Sequence, residues 1–141
     1  MSDFPRIGSA IIVFNEKGDI LLGRRNKDPQ REKWVIPGGK ILAFESISDA
    51  AVRELLEETG IAARVGGRLG IFELINPPDE HRIVLYSWGR VIAGELKAGD
   101  DLSEVAFFSL RAALDQPLSD FVRDVLVSTS PLLEKLPKSF S

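Results

Sequence analysis

The sequence predicts one α/β domain whose β-sheet is covered by helices on both faces. Apolar, β-branched segments typical of strands are interspersed with two amphipathic segments of helical periodicity. A chain of 141 residues, 44% of them hydrophobic, can bury a core without cross-links, and it contains no internal repeat. We therefore expect residues 1–141 to form a single domain, in which the part from about residue 130 to 141 is a flexible tail.

Segments rich in β-branched residues predict the strands. The first two, IGSAIIVF at 7–14 and DILLGRR at 19–25, are joined by the turn sequence NEKG and predict a hairpin. Two more strands are predicted at 68–75 and 83–92, with the loop NPPDEHR between them. The segment VAFFSL at 105–110 predicts a last, short strand.

Two segments with helical spacing of apolar residues predict the main helices. The first begins after a Pro-Gly-Gly sequence at 37–39, with Ser46 and Asp49 spaced as a capping box, and ends at Gly60. Its apolar side includes Leu55 and Leu56, which we expect to pack on the sheet. The second segment, LSDFVRDVLV at 118–127, is also amphipathic and predicts a helix near the end of the chain.

Three glutamates are predicted to share one face of the first helix. At about 100° per residue, Glu57 lies about 60° to one side of Glu54 and Glu58 about 40° to the other. Because like charges at this spacing repel by a few tenths of a kcal/mol, stability alone does not explain the arrangement. A solvated acidic surface is the simpler alternative. We favour a site for Mg²⁺, which prefers oxygen ligands, next to the Gly-Gly sequence at 38–39, where a carbonyl or a phosphate can approach closely.

Basic residues near this face could support such a site. Arg53 lies four residues before Glu57 and can hold its carboxylate through a helical ion pair. Arg24 and Arg25 end the second predicted strand, and we expect one of the two to contact phosphate, although both could be ordinary exposed arginines. The aromatic ring of Trp34 is expected in the core rather than in a ligand site.

Composition excludes several classes of function. The absence of cysteine excludes disulfides, thiolate metal sites and a cysteine nucleophile. A net charge of −3 and a pI near 5.2 argue against binding to long nucleic acids. No apolar stretch has membrane-spanning length, and no basic-then-apolar leader begins the chain, so we expect no membrane association and a cytoplasmic location. Whether the chain forms a homodimer stays open.

A spaced set of residues resembles a family signature. Gly39, then Glu45 after five residues, then the run RELLEETGI from Arg53 to Ile61 after seven more, is similar at every position to the signature of the Nudix hydrolases. The resemblance implies an α/β/α sandwich with a mixed central β-sheet. It also implies hydrolysis of a nucleoside diphosphate linked to another group, by attack of a metal-activated water on phosphorus.

The resemblance also implies roles for individual residues. Glu57 and Glu58 are expected to be metal ligands, with Glu54 a further ligand or the catalytic base. The carbonyl of Gly38 is an additional expected ligand, and Mg²⁺, or Mn²⁺ in its place, is the expected ion. Arg53 and Glu57 are placed in the catalytic group with Glu54, whereas Glu45 is expected to orient the loop and helix.

Candidate substrate contacts are less specific. They comprise Arg24, Arg25 and Gly39, together with Asp101 and Glu104 from the loop before the last predicted strand. Many members of the family place an additional acid in that loop, although Asp-rich turns also occur for conformational reasons alone.

The signature specifies the bond that is cleaved better than the substrate. Pro77 lies sixteen residues after Ile61, which resembles a marker of ADP-ribose pyrophosphatases within the family, so a small nucleotide such as ADP-ribose or a nucleotide sugar is favoured. A (d)NTP pyrophosphatase that cleans the nucleotide pool is the main alternative. A nucleotide-binding module without catalysis is a third, and the presence of all three glutamates argues against it.

Overall fold

A seven-stranded mixed sheet forms the centre of the computed structural model, which describes residues 4–136. The strands are β1 (Arg6–Phe14), β2 (Ile20–Arg25), β3 (Trp34–Val35), β4 (Gly38–Lys40), β5 (Ile61–Asn76), β6 (Glu80–Gly94) and β7 (Leu102–Phe108). The helices are α1 (Ile47–Thr59), α2 (Leu110–Leu114) and α3 (Asp120–Lys135). Within these described residues, no helix is long and apolar enough to cross a membrane.

The sheet is organised around β1. The strand order is β3-β2-β1-β6-β5, with β4 also paired to β1 and β7 to β2. The pairing of β1 with β6 is parallel, and the other pairings are antiparallel. The predicted hairpin of β1 and β2 is present, with Phe14 opposite Ile20.

Alternate residues of β1 face two separate parts of the core. Ile11 and Val13 pack in a cluster with Leu55 of α1. Ile12, on the opposite face, packs in a cluster with Val125 of α3. Because successive side chains of a strand point to opposite faces, burial on both sides means that helices cover both faces. The predicted α/β fold with a mixed central sheet is confirmed.

Helix α1 has the predicted start and end. The side chain of Ser46, three residues before Asp49, accepts a hydrogen bond from the Asp49 N–H at 3.0 Å and caps the helix. Gly60 ends it with φ of +78°, a left-handed conformation that favours glycine. Leu55 is fully buried, but Leu56 is 51% exposed, so the prediction that both pack on the sheet is wrong. Leu56 lies about 100° further around the helix, at the edge of the contact.

The Pro-Gly-Gly sequence that precedes the first predicted helix leads into β4, a strand that the sequence did not predict. Gly38 pairs with Ala10 of β1, and a Cβ at Gly38 would lie 2.5 Å from the Ala10 Cβ. The missing side chain therefore lets the two backbones approach, which brings residues 38–40 to the edge of α1.

Strands β5 and β6 are longer than predicted. The NPPDEHR segment was expected to be a loop, but the strands continue to Asn76 and resume at Glu80, leaving residues 77–79 as the turn. Strand β5 also starts earlier than predicted, at Ile61 directly after Gly60. The glycines between residues 65 and 70 do not end the strand, because bulges in its pairing with β6 accommodate them.

Helix α3 continues to Lys135, so the prediction of a flexible tail is wrong for residues 130–135. Thr129 and Leu133 are buried, and this packing holds the last turns of the helix in place. Residues 137–141, the rest of that predicted tail, lie outside the described residues.

Candidate active site

The guanidinium of Arg53 is the centre of the acidic face of α1. It donates to both carboxylate oxygens of Glu45, from Nε at 2.7 Å and from Nη2 at 3.0 Å. Its Nη1 donates to Glu54 Oε1 at 2.8 Å and approaches the Glu57 carboxylate at 3.3 Å. Nη2 also donates to the Lys40 carbonyl at 2.9 Å, which ties α1 to β4. The predicted pair between Arg53 and Glu57 is present, but Glu45 and Glu54 are the closer partners.

Glu45 links the loop before α1 to the helix. Besides its two bonds to Arg53, it accepts a hydrogen bond from the Leu42 N–H at 3.0 Å. The hydrogen bond from Arg53, then the one from Leu42, hold the pKa of the Glu45 carboxyl below its usual range. The hydrogen bonds to Glu45 and then to Glu54 raise the pKa of Arg53. Both groups therefore stay charged, which fits the expected role of Glu45 in orienting the loop and helix.

Glu58 lies apart from this network and turns towards β4. Its Oε1 accepts a hydrogen bond from the Gly38 N–H at 2.9 Å. Burial raises the pKa of Glu58 to about 8, and the negative charges of Glu54, Asp100 and Asp101 act in the same direction. The carboxylate thus lies where negative charge is concentrated.

The Gly39 position leaves no room for a side chain. A Cβ there would lie 2.5 Å from the carboxyl carbon of Glu54 and 2.8 Å from its Oε1. Any other residue would displace the Glu54 carboxylate, so glycine at this position is a condition for the observed arrangement.

The donor chemistry of this face fits a hard divalent cation. In the described part of the chain, no three acidic or histidine side chains are already gathered around one point that could hold a metal ion. Arg53 draws Glu54 and Glu57 towards itself, and Glu58 bonds Gly38 instead. The ligands on offer are nevertheless all oxygens, and the negative charges of Glu54, Asp100 and Asp101 that act on Glu58 would be offset by a bound cation.

A cavity of about 990 Å³ opens beside the acidic face. Gly38, Gly39 and Glu58 line it. Residues 6–10 of β1 and residues 119–122 at the start of α3 line it as well. The volume is that of a pocket for a nucleotide-sized ligand.

Comparison with known proteins matches residues 4–127 to the NUDIX domain. The chain belongs to the Nudix family. The residues from Gly39 to Ile61, with the Glu45 to Arg53 contact, are therefore its Nudix box. Nudix hydrolases use divalent metal ions and act on small nucleotide substrates.

Similar proteins carry more than one substrate name. The chain is 37% identical over 99 residues to an ADP-ribose pyrophosphatase of Methanocaldococcus jannaschii, covering 70% of this chain and 59% of that protein. It is 36% identical over 91 residues to a putative 8-oxo-dGTP diphosphatase of Bacillus subtilis, covering 64% of this chain and 57% of that one. The chain thus spans less than two thirds of the length of these relatives.

Solved structures share the fold over nearly the whole chain. A MutT protein from Methanosarcina mazei Go1 aligns with a TM-score of 0.81 and 29% identity, covering 96% of this chain and all of that one. A MutT Nudix hydrolase from Burkholderia pseudomallei gives a TM-score of 0.77 and 28% identity, covering 89% and 98%.

The structure separates the two arginines that the sequence could not distinguish. Arg25 lines the cavity, and its Nε donates to the Pro29 carbonyl at 2.7 Å. Arg24 instead contacts Glu32 at 3.8 Å and Glu104 at 3.7 Å. Arg24 and Glu104 are opposite each other in the pairing of β2 with β7, where an ion pair supports the sheet.

The acids predicted in the loop before the last strand are divided by the structure, because β7 starts at Leu102 and contains Glu104, whereas Asp101 lies directly before the strand. Asp101 forms an ion pair with Lys27 at 2.7 Å, and its charge still acts on Glu58. Pro77, the residue that resembles the ADP-ribose pyrophosphatase marker, lies in the turn between β5 and β6. It is not among the residues that line the cavity, whereas Asn76 and Glu80 beside that turn are.

Sequence reasoning missed the cavity residues outside the Nudix box. Arg6 and Arg82 lie opposite each other in the pairing of β1 with β6, and both line the cavity. Tyr86 and Phe121 line it as well, with ring centroids 6.4 Å apart. The only signal in the sequence was a pair of basic residues at strand ends, and nothing there indicated that β1 and β6 are neighbours. Trp34, by contrast, is buried against Phe108, so its expected place in the core is confirmed.

Proposed function

We propose that this Nudix protein hydrolyses the diphosphate bond of a nucleoside diphosphate linked to another group, with ADP-ribose or a nucleotide sugar as the favoured substrate. The observation that carries the proposal is the junction of two surfaces. The acidic face of the Nudix box meets a nucleotide-sized cavity at Gly38, Gly39 and Glu58. Such a junction would hold a diphosphate next to the residues that bind cations.

We propose Mg²⁺, or Mn²⁺ in its place, as the cation, with Glu57, Glu58, Glu54 and the Gly38 carbonyl as its ligands. When bound, such ions neutralise diphosphate oxygens and activate a water for attack on phosphorus. Arg53 positions the carboxylates, because its guanidinium contacts two of them at once. Cation binding would require Glu54 or Glu57 to exchange part of its contact with Arg53 for the ion.

Cationic side chains along the cavity support an anionic ligand. Arg6 and Arg82 face each other across neighbouring strands, and like charges in that position are unfavourable without a counter-charge. Glu80 supplies part of it, at 3.6 Å from Arg82. A bound phosphate would supply more, and Arg25 lines the same cavity.

Two candidate substrate classes follow from the relatives. The similarity to an ADP-ribose pyrophosphatase supports the favoured class. The similarity to a putative 8-oxo-dGTP diphosphatase supports a (d)NTP pyrophosphatase as the second candidate. Each class would place its base and sugar against the same walls.

A product screen would separate the candidates. ADP-ribose, nucleotide sugars and (d)NTPs are incubated with the protein and Mg²⁺, and the products are separated by chromatography. AMP and ribose 5-phosphate from ADP-ribose support the favoured substrate, whereas a nucleoside monophosphate with inorganic pyrophosphate establishes the second candidate.

A paired substitution tests the site itself. We expect Glu57→Gln to remove hydrolysis of every substrate that the wild type cleaves, because the substitution removes a proposed metal ligand. Asp49→Asn is the matched control, since Asp49 is an exposed acid on the same helix that we place outside the site. Equal turnover of Glu57→Gln and wild type at equal Mg²⁺ would contradict the proposal.

A further inference from the structure

Strand β5 is an edge of the sheet, and part of it exposes apolar side chains. Within residues 4–136, β5 pairs only with β6. Alternate residues of an edge strand direct their N–H and C=O groups outward, where another strand can pair with them. Ile71 is 66% exposed and Ile75 is 59% exposed along this edge. Monomeric proteins usually protect long, apolar edges of this kind.

Helix α1 does not cover this part of the sheet. Ile71 is opposite Leu85 of β6, which is opposite Ser9 of β1. These three residues form one row across the sheet. The hydroxyl of Ser9 donates to the Ile47 carbonyl at 2.7 Å, which places the first residue of α1 over this row. Because α1 runs from there towards Ile11 and Val13, Ile71 lies beside the first turn of the helix. The side chains that follow on the same face of β5 lie beyond the end of the helix.

The charges along the edge form a self-complementary pattern. In the pairing with β6, Arg68 is opposite Ser87, Ile71 is opposite Leu85 and Glu73 is opposite Ile83. The partners on β6 are two residues apart each time, because a bulge absorbs the extra residue of β5 between Arg68 and Ile71. The three β5 side chains therefore lie on one face at even spacing. Arg68 and Glu73 are therefore equally far from Ile71, on either side of it. A two-fold axis through Ile71 would place each Arg68 opposite the Glu73 of a second copy.

We propose that two copies of this chain pair through antiparallel β5 edges, with the two Ile71 side chains meeting at a two-fold axis. Closed two-fold pairing needs a self-complementary surface, and this edge supplies one. A two-fold axis at Glu73 would instead place two negative charges against each other, so the charge pattern selects the register at Ile71. Glu73 forms no ion pair within the described part of the chain, and Arg68 uses only Nη1 to contact Ser48 and Ser87.

A charge exchange tests both the interface and its register. The chain mass is 15.5 kDa, and light scattering after size-exclusion chromatography should give twice that value for the wild type. Glu73→Arg places arginines opposite each other, and Arg68→Glu does the same with glutamates, so each variant alone should give the monomer mass. Mixing the two variants in equal amounts restores opposite charges at both contacts and should restore the dimer mass.

An apolar pair of variants provides a second test that leaves Arg68 intact. Ile71→Glu should halve the mass, whereas Ile92→Glu, at a position 54% exposed and away from the proposed axis, should leave the dimer. Circular dichroism of each variant checks that the chain is folded. A wild type with the monomer mass, an Ile71→Glu variant that stays dimeric, or charge variants that mixing does not restore would each overturn the proposal.

Discussion

Replacing the Glu58 carboxylate should stabilise the metal-free protein while removing its response to metal. In the folded chain the pKa of Glu58 is raised to about 8 from an ordinary value of 4.5, first by burial and then by nearby acids. Over the pH range between these values, the folded state holds a proton that the unfolded state has lost. The free energy of unfolding contributed by Glu58 is therefore highest below pH 4.5 and decreases as the pH rises to about 8.

The size of the effect follows from the difference between the two pKa values. At about 1.4 kcal/mol for each pH unit, the range from 4.5 to about 8 corresponds to at most about 5 kcal/mol. Because water penetration gives protein sites a higher effective dielectric constant, we expect about 2 kcal/mol in practice. Glu58→Gln keeps an acceptor for the Gly38 N–H and carries no charge at any pH, so it should lose this pH dependence.

Urea unfolding followed by tryptophan fluorescence, in the presence of EDTA, measures the effect at pH 5 and pH 8. The difference in free energy of unfolding, wild type minus Glu58→Gln, should decrease by about 2 kcal/mol between the two pH values. The contribution of Glu45 is present in both proteins and cancels. Added Mg²⁺ should stabilise the wild type but not the variant. Glu16→Gln, at an exposed position, is the control. A wild-type minus Glu58→Gln difference in free energy of unfolding that is equal at pH 5 and pH 8 would refute the reasoning.

Three further predictions concern the site and its support. Arg53→Ala should reduce turnover by about 10- to 100-fold and shift Mg²⁺ activation to higher concentration, because the carboxylates lose the group that positions them; an unchanged Mg²⁺ titration would reject this role. Arg25→Ala should raise KM, whereas Arg24→Ala should leave it near the wild-type value, as steady-state kinetics on the identified substrate can show. Leu55→Ala should cost about 2–5 kcal/mol in urea unfolding and Leu56→Ala about 0.5 kcal/mol or less, and equal losses would contradict the assignment of the buried side.

The Nudix box could be predicted from sequence because its information is local. The face that carries Glu54, Glu57 and Glu58 follows from helical periodicity alone. The cap at Ser46 and the stop at Gly60 follow from the conformations that those residue types favour. Each of these features depends on residues only a few positions away in the sequence.

The rest of the site depends on contacts between distant segments. Glu58 bonds Gly38, twenty residues earlier, only because β4 pairs with β1. Arg6 and Arg82 meet through a parallel pairing that joins two remote strands. No periodicity in a single sequence specifies which strands are neighbours, so the cavity walls could not be predicted.

The limits of the last helix were misjudged for a similar reason. Residues from about 130 onward were expected to form a flexible tail because they lie near a chain terminus, yet the helix continues through Pro131 to Lys135. Burial of Thr129 and Leu133 against the sheet overrides that tendency.

Anomalous diffraction from crystals soaked in Mn²⁺ tests the central claim most directly. We expect a peak within coordination distance of carboxylate oxygens of Glu57 and Glu58, with Glu54 or the Gly38 carbonyl completing the protein ligands. A soaked crystal that shows all three carboxylates still directed at Arg53 and Gly38, with no peak between them, would contradict it.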